Sequence, residues 1–99
     1  MHPSVIALPR EVLKRGGDRA AFNADKIRSA IERAGAATGE FGADEAALLA
    51  AQVGKVLIHR FHGQAPSIEQ IQDVVEHTLI AANHLHTARA YIAYRDRRA

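Results

Sequence analysis

The stretch LKRGGDRAAFNADKIRSAI, Leu13 to Ile31, decides how the chain is read. It sets Lys14, Arg15, Arg19 and Lys26 around two glycines and the start of an apolar-periodic segment. Just before and into it, Glu11 to Arg15 alternates as a strand does. Gly16-Gly17-Asp18 is a turn signal, because glycine accepts positive φ without steric cost. Arg19 to Phe22 then reads as the returning strand. A hairpin this short is marginal alone and must pack on other elements. Asn23 suits a helix N-cap, and Ile27, Ala30, Ile31 and Ala34 follow at helical spacing.

Working outward, the remaining chain is helical. Gly35 or Gly39 is expected to end the first helix. Asp44 is the cap candidate for a second, whose buried face carries Leu49, Val53, Val56 and Leu57 and which should stop near Gly63. Ser67-Ile-Glu-Gln70 has the pattern of a capping box, with serine and glutamine satisfying each other's backbone N–H groups. The third helix should bury Ile68, Ile71, Val75 and Leu79. AANHLH breaks the pattern weakly. A fourth helix then turns Ala88, Tyr91 and Ile92 inward and carries Arg95 to Arg98 in its last turns, where cations complement the helix dipole. Met1 to Pro9, with Pro3 and Pro9, reads as a loose lead-in, leaving one domain from residue 11 to residue 99. The expected fold is α+β, mainly α: a short N-terminal hairpin lying as a lid over a four-helix bundle, with short loops and antiparallel neighbours.

Composition narrows the functions available. The chain has 99 residues, 47% of them hydrophobic and many of those alanine, so its core should be made by closely approaching helices. There is no cysteine, which excludes disulfides and cysteine-ligated zinc and fits a cytoplasmic location. No apolar run approaches the roughly 18 residues of a membrane span, and the N-terminus lacks the features of a signal peptide. Thirteen Lys and Arg against eleven Asp and Glu give a net charge of +2, which does not argue for a nucleic-acid binder.

Four candidate sites stand beside plainer readings. The basic hairpin and the free N–H groups of the first helix could hold an anion such as phosphate; otherwise they are a solvated turn and a capped helix. Lys26 in the first helical turn opposes the dipole, which is easier to understand beside an anion. His59 with His62, or His84 with His86, could begin a metal site, but no third ligand accompanies either pair. Ser4, Ser29 and Ser67 have no base beside them, and no nucleophile motif or carboxylate pair is present, so no catalysis is expected in this chain. YRDRR, Tyr94 to Arg98, could lie on nucleic-acid phosphates or simply be a solvated helix end.

The chain as a whole resembles the ATP-cone, the regulatory nucleotide-binding domain at the N-terminus of ribonucleotide reductases. That family opens with a V-x-K-R-D-G strand and continues P-F-[DN]-x-x-K-I-x-x-A-I. Here Val12 to Gly17 and Ala21 to Ile31 match. Its third helix looks like S-x-E-x-I-Q-D-x-V-E, matched by Ser67 to Glu76, and its end A-R-A-Y-I-x-Y-R is matched by Ala88 to Arg95. The order and spacing agree over about residues 11 to 98.

The resemblance implies that ATP or dATP binds under the hairpin, with Mg2+ carried through the phosphates. It assigns Lys14, Arg15 and Lys26 to the phosphates, Asn23 to the helix cap and a nucleotide contact, and Val12, Phe22 and Ile27 to the base. Gln72 is the best match for a polar contact from the third helix, with Ser67 and Ile68 as alternatives. Arg97 or Arg98 is the match for a basic residue late in the fourth. The implied role is allosteric control of a ribonucleotide reductase, attached or acting as a partner, through conformation or self-association. No membrane or nucleic-acid partner is implied. Two departures stand out: Gly16 replaces the usual Asp of the turn, and Ala20 replaces a residue that is acidic in some relatives. The zinc ribbon of the related transcriptional repressor of reductase genes is also missing. Other readings are a free-standing cone acting in trans, a degenerate cone kept as an interaction module, and a nucleic-acid-binding module.

Overall fold

A computed structural model describes the backbone of residues 7–98 and the side chains of residues 7–96. Much of the expected lead-in, with Pro3 and Ser4, lies outside the described residues, as do the side chains of Arg97 and Arg98. The elements run β1 (Glu11–Leu13), β2 (Arg19–Ala21), α1 (Ala24–Thr38), α2 (Ala43–Phe61), α3 (Ile68–Ala81) and α4 (Leu85–Arg98). This is the expected α+β, mainly helical architecture: one antiparallel hairpin and four helices. No described helix is long and apolar enough to cross a membrane.

The hairpin is shorter than expected. Its ladder pairs Glu11 with Ala21, Val12 with Ala20 and Leu13 with Arg19. Lys14 and Arg15 belong to the connecting loop, where Lys14 N–H donates to the Asp18 carbonyl at 2.7 Å and Gly17 N–H to the Lys14 carbonyl at 3.0 Å. Gly17 takes φ of 90°, the left-handed turn position that glycine favours. Packing also reaches upstream of the expected domain start. Pro9 is buried, and the Arg10 carbonyl accepts from Phe22 N–H at 2.9 Å.

Asn23 caps α1 as expected, its side-chain oxygen accepting from Asp25 N–H at 2.9 Å. Of the two candidate ends for α1, Gly39 is the observed one, with φ of 76°. Gly35 lies inside the helix, because the Phe41 ring packs where its Cβ would stand. Asp44 is not the cap of α2. The helix begins one residue earlier behind Gly42, which makes no side-chain bond, so Asp44 and Glu45 serve the first turn as charges against the dipole. Ser67 and Gln70 form the full capping box of α3.

The helices close a ring in which each packs on its sequence neighbours and α1 also packs on α4. Ile31, Ala46, Leu49, Val53, Leu57, Ile71, Val74, Val75, Leu79, Ala88 and Tyr91 fill the centre. Val56, Ile68 and Ile92, expected inside, are only half-buried. Burial pushes the Tyr91 hydroxyl up to about 12.

The start of α4 is held from far away in the sequence. Glu40, in the α1–α2 connection, accepts from Thr87 N–H at 2.8 Å and from the Thr87 hydroxyl at 2.6 Å. The Thr38 and Thr87 hydroxyls lie 2.8 Å apart. One carboxylate thus satisfies N–H groups at a helix start that its own sequence caps weakly. The Thr87 hydroxyl, followed by the Thr87 and His86 N–H groups, holds the Glu40 carboxyl below its ordinary value, against the opposing effect of desolvation.

Two outcomes follow. Gly35→Ala should destabilise the fold by about 1–3 kcal/mol despite alanine's better helix propensity, since the Phe41 ring must move; the urea midpoint reads this. Glu40 has a folded pKa below its unfolded one, so its contribution is present above the unfolded value of 4.5 and lost as pH falls through the folded value. The stability gap between the parent chain and Glu40→Gln should therefore narrow between about pH 5 and pH 3; a pH-independent gap would contradict it.

Candidate functional site

The underside of the hairpin, the start of α1 and the first turns of α3 enclose a cavity of about 240 Å³. The strand period explains which hairpin residues face it. Paired residues share a face and successive residues alternate, so Val12, Lys14, Ala20 and Phe22 fall on one side. All four line the cavity. From α1 come Asn23, Lys26 and Ile27, and from α3 come Ile68, Ile71 and Gln72. Each helix offers positions i, i+3 and i+4, the spacing that puts residues on one face. The floor is apolar, and the polar groups sit around it.

Charge is one-sided here. Two lysines line the cavity and no carboxylate does. Neither Lys14 nor Lys26 has an acidic partner among the described residues. The side-chain carbonyl of Gln72 is buried without a hydrogen-bond partner among the described residues. A buried, unpaired carbonyl beside two unpaired ammonium groups is costly unless a ligand supplies what they lack.

Of the residues expected at a nucleotide, the structure brings together Val12, Lys14, Phe22, Asn23, Lys26, Ile27 and Gln72. Arg15 is elsewhere. It follows Lys14 on the opposite side of the turn and donates from Nε to Glu69 in the first turn of α3 at 2.7 Å. Glu69's own backbone N–H, and then Arg15, hold that carboxyl below its ordinary value, against the opposing effect of desolvation. The Arg97 side chain lies outside the described residues. Arg95, expected only to meet the helix dipole, turns onto α3 and bonds Asp73 at 2.9 Å and Glu76 at 3.0 Å. That pair of carboxylates raises its pKa even though burial alone would lower it.

Sequence reasoning gave Ile71 only to the core and did not assign Ala21 to the site. The capping box at Ser67 was the available signal for Ile71, because it fixes the helical phase in which Ile68, Ile71 and Gln72 share a face. Of the histidine pairs, His84 is already engaged with Glu45 at 2.9 Å and with the Phe41 ring at 4.6 Å. Among the described residues no group of three or more His, Cys, Asp or Glu is placed to hold a metal ion.

The family model of the ATP cone domain matches residues 10–99. The chain belongs to the ATP-cone family. It is 37% identical over 87 residues to an anaerobic ribonucleoside-triphosphate reductase of Haemophilus influenzae, covering 88% of this chain and 12% of that protein. It is 32% identical over 103 residues to a ribonucleoside-diphosphate reductase subunit alpha of Chlamydia pneumoniae, covering 97% and 10% respectively. A vitamin B12-dependent ribonucleoside-diphosphate reductase of Thermoplasma acidophilum is 34% identical over 94 residues, covering 90% and 12%. The chain thus spans about a tenth of the length of the curated relatives it matches.

If the Gln72 carbonyl carries an unmet cost in the free protein, Gln72→Leu should stabilise it by about 1 kcal/mol. A lower urea midpoint in the variant would show that the amide is already satisfied.

Proposed function

We propose that this domain binds ATP or dATP under its hairpin and thereby regulates a ribonucleotide reductase. The carrying observation is the cavity itself: an apolar floor, two unpaired lysines, no lining carboxylate and an unpaired buried carbonyl. An adenine ring is flat and apolar on its faces and donates from its amino group at its edge. Val12, Phe22, Ile27, Ile68 and Ile71 suit the faces, and the Gln72 carbonyl suits the edge. At about 240 Å³ the cavity is small beside the roughly 300–1,000 Å³ of most ligand pockets. The base and part of the sugar would fill it, and the phosphates would emerge at Lys14, Lys26 and the start of α1.

Charge-assisted contacts to phosphate are strong because both partners are ionised. Arg15 sits at the mouth, engaged with Glu69, and its part in the reading is to exchange that carboxylate for phosphate oxygens when the triphosphate arrives. The cavity supplies cations rather than carboxylates, so Mg2+ would enter on the phosphates with water completing its shell. This reading makes the domain a regulator without chemistry of its own; the catalysis would belong to a cytoplasmic reductase, attached or in trans. ATP and dATP differ by one 2′-hydroxyl. Regulation requires that the two favour different conformations or assemblies, since a ligand with equal affinity for both states shifts nothing.

Calorimetric titration with ATP and with dATP, each with Mg2+, tests the reading. Saturable micromolar binding is expected, weakened by about 100-fold or more in Lys14→Ala/Lys26→Ala, where two charge-assisted contacts are lost. Arg15→Ala should cost less, because its gain is offset by breaking the bond to Glu69. Absence of heat and of any thermal shift at millimolar nucleotide would overturn the reading.

A further inference from the structure

On the face made by α2 and α3, away from the hairpin, lies a groove of about 540 Å³. Its α2 wall carries Glu45, Leu48, Leu49, Gln52, Val56 and Arg60. Leu48 is 67% exposed, although its position in the helix is one that packs well. A single exposed leucine is ordinary; one at the lip of an apolar groove of this size marks a contact surface.

The order of side chains along α2 selects the occupant. From Glu45 the stripe runs acid, leucine, glutamine, valine, base, ending at Arg60. Read backwards, it is complementary to itself. Two such helices laid antiparallel about an axis at Gln52 set Glu45 against the other copy's Arg60, Leu48 against Val56, and Gln52 against Gln52. A parallel arrangement would put like charge on like charge. An isologous two-fold contact needs this self-complementarity. The ends are available for it. Arg60 lies 5.6 Å from the neighbouring Phe61 ring and has no acidic partner among the described residues. Glu45 engages His84 through one oxygen, Oε2, leaving Oε1. A glutamine amide on the axis can donate to and accept from its own copy. Nineteen residues of α2 give about 28 Å of helix along which to pair.

We infer that the α2–α3 groove seats a second copy of this chain, in a two-fold dimer whose α2 helices lie antiparallel across Gln52. The contact does not involve the hairpin cavity and does not depend on nucleotide.

Sedimentation equilibrium without nucleotide, over a concentration series into the millimolar range, should show the mass rising from 10.7 kDa toward twice that value. Leu48→Glu should remove the rise, and Arg60→Glu, which sets acid against Glu45 of the other copy, should weaken it by about tenfold or more. Both positions are exposed, and an unchanged circular dichroism spectrum checks that the variants fold. The chain has no cysteine, so Gln52→Cys provides a single reporter. Oxidation with diamide should join two copies of Gln52→Cys, which needs the two Cβ atoms within about 4.5 Å, and should not join Arg89→Cys on α4. A mass that stays at 10.7 kDa throughout overturns the inference, as does a dimer that survives Leu48→Glu unchanged.

Discussion

The hairpin has three residues in each strand, too few to hold a shape in water, and the candidate site depends on what pins it. The pin is at the start of α3. Leu13 N–H donates to the Pro66 carbonyl at 2.8 Å, and Leu13 bridges Ser67 as a parallel partner. Pro66 is fully buried, so this carbonyl is presented from a fixed point. Arg15 and Glu69 add a bond on the outer side, and Val12 and Phe22 pack from below. The exposed ion pair contributes little by itself. It matters through geometry: by occupying Arg15 outside the cavity it leaves Lys14 as the hairpin's charge inside.

The bundle beneath is closed by a second long-range tie. A weakly capped α4 would fray at its start, and Ala88 and Tyr91 would then lose their place in the core. Glu40 prevents this by acting as a cap delivered from another part of the chain, with Thr38 and Thr87 completing the bonds. The same corner holds Phe41 between Gly35 and His84, so α1, α2 and α4 are fastened together within a few residues. At the other end Arg95 joins α4 to Asp73, the neighbour of Gln72. The element that lines the cavity is thereby tied to the last helix.

Unpaired charge and an unpaired carbonyl are tolerated at the hairpin because most of the cavity wall is apolar and already packed on the core. The lysines remain exposed and solvated, so they cost little while nothing is bound. The Gln72 carbonyl is different, being buried, and it marks where local stability is given up. Such concessions are expected at sites that must recognise something.

Most of the fold was legible in the sequence, because its signals are local. The apolar spacing of α1 to α3, the Asn23 cap, the Ser67–Gln70 box and the glycine turn each act within a few residues, and the motif order placed the family. Seven of the nine expected site residues share one cavity for a related reason: helical and strand periods fix which residues face together. What the sequence did not determine were contacts between distant segments. Whether Gly35 or Gly39 ended α1 depended on Phe41 arriving against Gly35. The start of α4 depended on Glu40, and Asp44 gave way to Gly42 because the α1–α2 connection turned one residue early. Arg15 and Arg95 read alike as free cations, yet each found a carboxylate on α3. A side chain's partner is set by where the backbone carries it, and only the packed bundle decides that.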